Sequence, residues 1–224
     1  MKKFIIILIT LFIYSCSSTP KEKEVPFTVN LKSPRHTAGS GEAYFERYLG
    51  IGSLKKGDIT VYYYPIEDAV CLNFRAMQFV HCDQFWDRAG RDAFVSAFER
   101  YKEEYDRRTL IVKKNRKTRD AYGTVQGYFA WKKTAVAVQA YGSPKIKLGY
   151  QFKGKGAFFT TAQMESYYED QYSKTRSGTS PVTVMYFTRS QAESLAELFK
   201  QEYLNSLKVP GSSDTTIDEY EEKD

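Results

Sequence analysis

The chain has 224 residues, 33 Lys and Arg against 27 Asp and Glu, and a formal charge of +6. That length suffices for one domain with a core of its own, and the 18 Tyr and 15 Phe favour a β-rich interior. Two His and three Cys leave little material for a metal centre or a disulfide framework. The charge is uneven: residues 21–208 hold 30 basic against 21 acidic side chains, and the last sixteen residues hold six acidic against Lys223 alone.

Met1 to Ser18 reads MKKFIIILITLFIYSCSS. Lys2 and Lys3 are followed by an apolar run from Phe4 to Tyr14, interrupted only by Thr10, and Ser15-Cys16 ends it. A basic end, a short apolar stretch and a small residue make the layout of a secretory signal. A spanning helix needs about 20 apolar residues, so this run is too short for a durable anchor. Ile13-Tyr14-Ser15-Cys16 resembles the lipobox of bacterial lipoproteins: Ile13 suits its aliphatic position and Ser15 its small one. Tyr14 stands where a shorter residue is usual, and in this the motif resembles the relaxed lipobox of spirochaetes. The resemblance implies cleavage before Cys16, a diacylglycerol on its sulfur and a place in the cell envelope. Ser17 follows, where some lipoproteins carry an inner-membrane retention Asp, which leans towards the outer membrane. An ordinary signal peptide cut near Ser15 or Ser18 is the alternative. Export removes nucleic acid from the expected partners of the basic region and leaves anionic headgroups or acidic envelope polymers.

These features divide the chain into a signal peptide (1–15), a lipidated Cys with a flexible tether (16–41), one globular domain (42–208) and an acidic disordered tail (209–224). Within the tether, Phe27 to Leu31 alternates as a short edge strand would. Glu42 to Leu49 places Tyr44, Phe45, Tyr48 and Leu49 on one helical face, with a strand nearly as good a reading. Ile59 to Tyr64 is a strand stopped by Pro65, and Ala69 to Val80 is a longer one whose apolar parity shifts midway, the mark of a bulge or bend. A helix is predicted from about Gln84 to Arg107, with Ala93, Phe94, Ala97, Phe98, Tyr101 and Tyr105 as its apolar stripe and Asp83 or Asp87 as its cap. After a basic loop come four strands, Val125 to Trp131, Ala135 to Tyr141, Lys145 to Phe152 and Ala157 to Met164, joined by short turns as an antiparallel meander. Glu165 to Ser180 reads as a mobile loop, Pro181 to Phe187 as a last strand, and Thr188 with Gln191 as the capping box of a final helix. The predicted fold is α+β: an antiparallel sheet of about six or seven strands with two amphipathic helices packed on it, in the order ββαβββββα.

Candidate chemistry is sparse. Cys71, His81, Cys82 and Asp83 are metal-ligand types, but neighbouring strand residues point to opposite faces, so His81 and Cys82 do not share an ion easily. Cys71 and Cys82, read on one strand, lie too far apart for a disulfide, which leaves two buried thiols. His36 and His81 have no Gly-x-Ser-x-Gly turn to serve. Glu67-Asp68 and Glu169-Asp170 sit in turn or loop contexts, and Lys153-Gly154-Lys155-Gly156 lacks phosphate-loop spacing and reads as a hairpin turn. Tyr128, Trp131, Tyr141 and Tyr150 suggest an aromatic sheet face, for which packing is the ordinary role and sugar stacking the other. The basic loop carries Arg107, Arg108, Lys113, Lys114, Arg116, Lys117 and Arg119 within thirteen residues. Lys113, Lys114, Arg116 and Lys117 are the candidate contacts for an anionic surface, beside Cys16 as the candidate lipidation site. No catalytic residue, metal or cofactor is predicted. The expected function is an envelope lipoprotein displaying a non-catalytic interaction domain for an unidentified protein partner. A carrier of lipid or small ligand between sheet and helices is the alternative, and an envelope glycan hydrolase a further one.

Overall fold

Alternating apolar residues along this chain build one strongly curved sheet. A computed structural model describes residues 27–46, 54–76, 80–112, 118–133, 139–169 and 176–207. Among these the strands are β1 (His36–Phe45), β2 (Lys55–Tyr64), β3 (Ala69–Ala76), β4 (Val80–Trp86), β5 (Gly123–Gln126), β6 (Tyr128–Lys133), β7 (Gln139–Gly142), β8 (Lys145–Lys153), β9 (Gly156–Gln163), β10 (Tyr167–Glu169), β11 (Arg176–Thr179) and β12 (Thr183–Phe187). The helices are α1 (Arg88–Asp106), α2 (Arg189–Phe199) and α3 (Gln201–Ser206). Ten strands form one antiparallel sheet in the order β5-β8-β9-β12-β1-β2-β3-β4-β6-β7, and β10 pairs with β11 apart from it.

The sheet curls into a half-barrel. Gly127 alone separates β5 from β6, and the pairs Lys132↔Gln139, Phe129↔Gly142, Gln126↔Lys145 and Gly123↔Leu148 keep one register across both pieces. The two limbs are therefore one long bent hairpin, joined to β4 through β6 and to β9 through β8. At Gly127 a Cβ would stand 2.6 Å from the Ile146 side chain, so the bend needs the missing side chain. Across the concavity the amide of Gln84 on β4 donates to that of Gln163 on β9 at 2.9 Å, and both residues are buried. Strands far apart in sheet order are thus in direct contact.

The predicted α+β fold with six or seven strands is overturned by this sheet. Three causes account for the difference. Ala69 to Val80 is not one bent strand: β3 and β4 are paired antiparallel from Val70↔Trp86 to Ala76↔Val80, and the parity shift marks the change of strand. The predicted helix start at Gln84 gives way to Arg88, because Gln84, Phe85 and Trp86 complete β4. His36 to Phe45, glycine-rich and assigned partly to tether and partly to helix, is β1, held between β12 and β2. Two short strands, β10 and β11, also lie within the stretch read as a loop. The pairing of β8 with β9, the cap at Asp87 and the Thr188–Gln191 capping box match the sequence reading, whereas the predicted four-strand meander does not hold: Val125 to Trp131 is divided between β5 and β6, and β7 pairs with β6 while β8 pairs with β5 and β9.

Helices α1 and α2 fill the concave face. Phe94 lies at the centre, its ring centroid 5.7 Å from Trp86, 5.3 Å from Phe159 and 4.8 Å from Phe199, all four residues fully buried. The convex face carries a smaller core of Tyr64, Ala69, Cys71, Phe85 and Ala130, covered by Val29 with Phe27 and Leu31. Residues 27–35 are therefore a strap on the domain, pinned by Ser33 donating to Glu67 and by Arg35 donating to the Tyr64 hydroxyl at 3.2 Å.

One ion pair, buried on its Arg91 side, joins three elements. Arg91 of α1, 1% exposed, donates to the Asp68 carboxylate at 2.7 Å, to the Phe199 carbonyl at 3.3 Å and to Gln201 at 3.0 Å. Asp68, in the β2–β3 turn with φ 47°, also accepts from Arg88 and from the Tyr63 hydroxyl. Removing the half-buried Asp68 carboxylate leaves the buried Arg91 charge with neutral partners alone, so Asp68→Ala should lower stability by about 2–3 kcal/mol in urea unfolding.

Candidate functional site

The predicted site residues Cys16, Lys113, Lys114, Arg116 and Lys117 lie outside the described residues. The chain on either side of the basic loop is described. Residues 107–112 leave the end of α1 and cross the end of β8, where the Tyr150 hydroxyl accepts from the Ile111 N–H and donates to the Ile111 carbonyl, each at 3.3 Å. Leu110 packs on the core, whereas Ile111 and Val112 are 59% and 70% exposed. On the far side of the loop, Thr118 and Arg119 pass over Gly149, where a Cβ would meet the Thr118 carbonyl at 2.0 Å. That close approach sets Arg119 against Gln151 on the convex face.

There Arg119 borders a polar cluster. Glu46 accepts from Lys153 at 2.6 Å and from the Tyr186 hydroxyl, and Tyr186 is also bonded to Gln151 at 2.8 Å. Burial pushes the Glu46 carboxyl up, but hydrogen bonds from Lys153 and Tyr186 outweigh burial and hold it below the ordinary range. Burial, with the bond to Glu46, pushes the Tyr186 phenol up. Both bonds fall on Glu46 Oε1, and the arrangement ties the end of β1 to β8 and β12. A carboxyl that titrates lower in the fold than in the unfolded chain stabilises the fold fully above the ordinary Glu value of about 4.3, and this is lost as pH falls through the folded value. Glu46→Gln should therefore flatten the acid limb of a stability–pH profile and leave the neutral limb less affected.

The other candidates separate. Cys71 faces the convex core and Cys82 the concave one, since their partners are Phe85 and Phe74 on paired strands, and both thiols are free and buried. Cys71 approaches Asp83 at 3.7 Å, Asn73 donates to the same Asp83 oxygen at 2.6 Å, and Cys82 points away from both. Among the described residues no group of three or more His, Cys, Asp or Glu is placed to hold a metal ion. Glu67 is engaged by Ser33, and Asp68 by Arg88, Arg91 and Tyr63. The four aromatics do not share a face: Tyr128 and Tyr141 stack at 6.1 Å on the convex side, while Trp131 and Tyr150 are buried in the concave core. His36 is buried opposite Tyr63 in the β1–β2 ladder. An open groove of about 530 Å³ beside β5 and β8 is lined by Thr124, Gln126, Ser143, Lys145, Met164 and Glu165, among others. Its Gln126 amide is already bound to the Ser143 and Pro144 carbonyls.

Burial, with Asp83 nearby, pushes the Cys71 thiol well up, and burial pushes Cys82 up to about 12. Neither holds thiolate at neutral pH. In the Cys16→Ala chain, iodoacetamide should modify neither thiol while folded and both in concentrated urea, as read by mass spectrometry.

Sequence reasoning missed Ile111 and Val112. The only local signal was two β-branched residues next to a cationic run, and that pattern equally describes a short buried strand. Their exposure is decided by Tyr150, thirty-nine residues away.

No curated protein and no solved structure resembles the chain. Residues 21–206 match the family described as uncharacterised Treponema protein, and the chain belongs to that family of a spirochaete genus.

Proposed function

We propose that this protein is a cell-envelope lipoprotein, anchored by a lipid on Cys16 and displaying its β-rich domain as a non-catalytic interaction module. The observation that carries the reading is Ile13-Tyr14-Ser15-Cys16 at the end of an apolar signal-like run. Its one departure, Tyr14, is of the kind a spirochaete lipobox tolerates, and the chain belongs to a Treponema family. Among the described residues no helix is long and apolar enough to cross a membrane, which is compatible with attachment by lipid.

With residues 27–45 packed on the domain, only residues 17–26 separate it from Cys16. Ten residues span at most about 35 Å even when fully extended, so the domain would stand close to the bilayer. Lys113, Lys114, Arg116 and Lys117, where they meet anionic headgroups, would each add on the order of 1 kcal/mol. The reading as an interaction module is favoured over a ligand carrier by the packed rings of Trp86, Phe94, Phe159 and Phe199, which occupy the space between helices and sheet.

Labelled fatty acid should be incorporated into the native chain, and the Cys16→Ala variant should carry none and leave the membrane fraction. Unchanged labelling of the variant would defeat the proposal.

A further inference from the structure

A buried polar group normally finds a hydrogen-bond partner, and a set that finds none within the protein points to another molecule. The concave face carries such a set. Gln84 of β4 and Gln163 of β9 are 0% exposed, Thr161 of β9 is 1% exposed and Thr183 of β12 is 6% exposed. Residues opposite one another on paired strands point to the same side. Gln84 stands opposite Leu72 and Phe129, Gln163 opposite Ile146 and Thr183, and Thr161 opposite Leu148. Those apolar partners all belong to the main core, so the four polar side chains share its face.

The direction of the amide chain is fixed at one end. The Pro181 carbonyl can only accept, so Gln163 must turn its NH2 group to it, at 3.0 Å. The Gln163 oxygen is thereby turned to Gln84 and accepts its NH2 at 2.9 Å. Gln84 Oε1 is left at the end of the chain with no protein donor, and the Thr161 and Thr183 hydroxyls have no protein partner. In paired strands the Thr183 Cβ stands about 5 Å from that of Gln163 and about 7 Å from that of Thr161. One bridging molecule spans such a gap. Leaving these groups unpaired would cost roughly tenfold in the folding equilibrium for each. None of the four side chains is charged, which suits a small neutral group that both donates and accepts.

We propose that Gln84, Thr161 and Thr183 hold an internal water molecule. About three hydrogen bonds are the usual complement of a buried water, and these side chains supply one acceptor and two hydroxyls. The Gln84–Gln163 bond joins strands far apart in sheet order, so the water belongs to the contact that holds the curl of the sheet.

Thr161→Val in the Cys16→Ala chain tests this by the sign of its effect. If the hydroxyl is bonded to water, the new methyl breaks that bond, and the folded-to-unfolded ratio in urea titration should fall about tenfold. If the hydroxyl is unpaired in a dry site, the same change removes a buried polar group without a partner. An unchanged or higher ratio would therefore overturn the proposal. Relaxation dispersion of the water oxygen nucleus counts long-lived waters directly. Thr161→Val with Thr183→Val should lower that count by about one, and Thr161→Ser with Thr183→Ser should keep it. A native chain without long-lived water would overturn the proposal without recourse to any variant. So would a small molecule in native mass spectrometry that is lost with the Val pair, since the bound hydroxyl would then be that of an alcohol.

Discussion

The guanidinium of Arg91 is the contact on which the arrangement of helices and sheet depends. It is buried where the β2–β3 turn, the start of α1 and the junction of α2 with α3 converge. A buried charge tolerates no loose partner, so the Asp68 carboxylate and the Phe199 carbonyl must both arrive in place for the pair to be stable. Packing of Phe94 against Phe199 then follows from the same docking, because these two rings lie on elements that Arg91 joins, and Trp86 at the end of β4 packs against both. Hydrophobic burial supplies the bulk of the driving force, and the ion pair selects one docking among many apolar ones.

Curvature gives the molecule two unequal faces. Inside, the alternation of Ile146, Leu148 and Tyr150 with their neighbours meets the helices and forms the main core. Outside, the strap from Phe27 covers a second, smaller core, so residues that follow a polar segment rich in Pro are structural. A strap on the convex surface shortens whatever tether precedes it.

The carboxylates of the β2–β3 turn and the two thiols, all singled out in the sequence, are either engaged by neighbours or buried. Asp68, Glu46 and Glu67 are engaged by Arg, Lys, Tyr or Ser side chains, and Cys71 and Cys82 are buried on opposite faces of the sheet. Ile111 and Val112, with Ile66 and Val182, are among the exposed apolar side chains of the described residues.

The sequence by itself determined the local features. Perfect alternation from Lys145 to Phe152 specified a strand with one buried face, Thr188 with Gln191 specified a helix start, and the signal-like run to Cys16 specified the proposed address. Each depends on residues a few positions apart, so period and capping chemistry suffice to read it. Tertiary structure alone decided the rest: that β1 lies between β12 and β2, that the parity shift in Ala69 to Val80 separates two strands, that Cys71 and Cys82 face apart, and that Tyr150 holds Ile111 in the open. The physical reason is common to all four. A strand's pattern states which side is buried but not which distant strand or side chain it meets, and long-range pairing is settled only by the packing of the whole curved sheet.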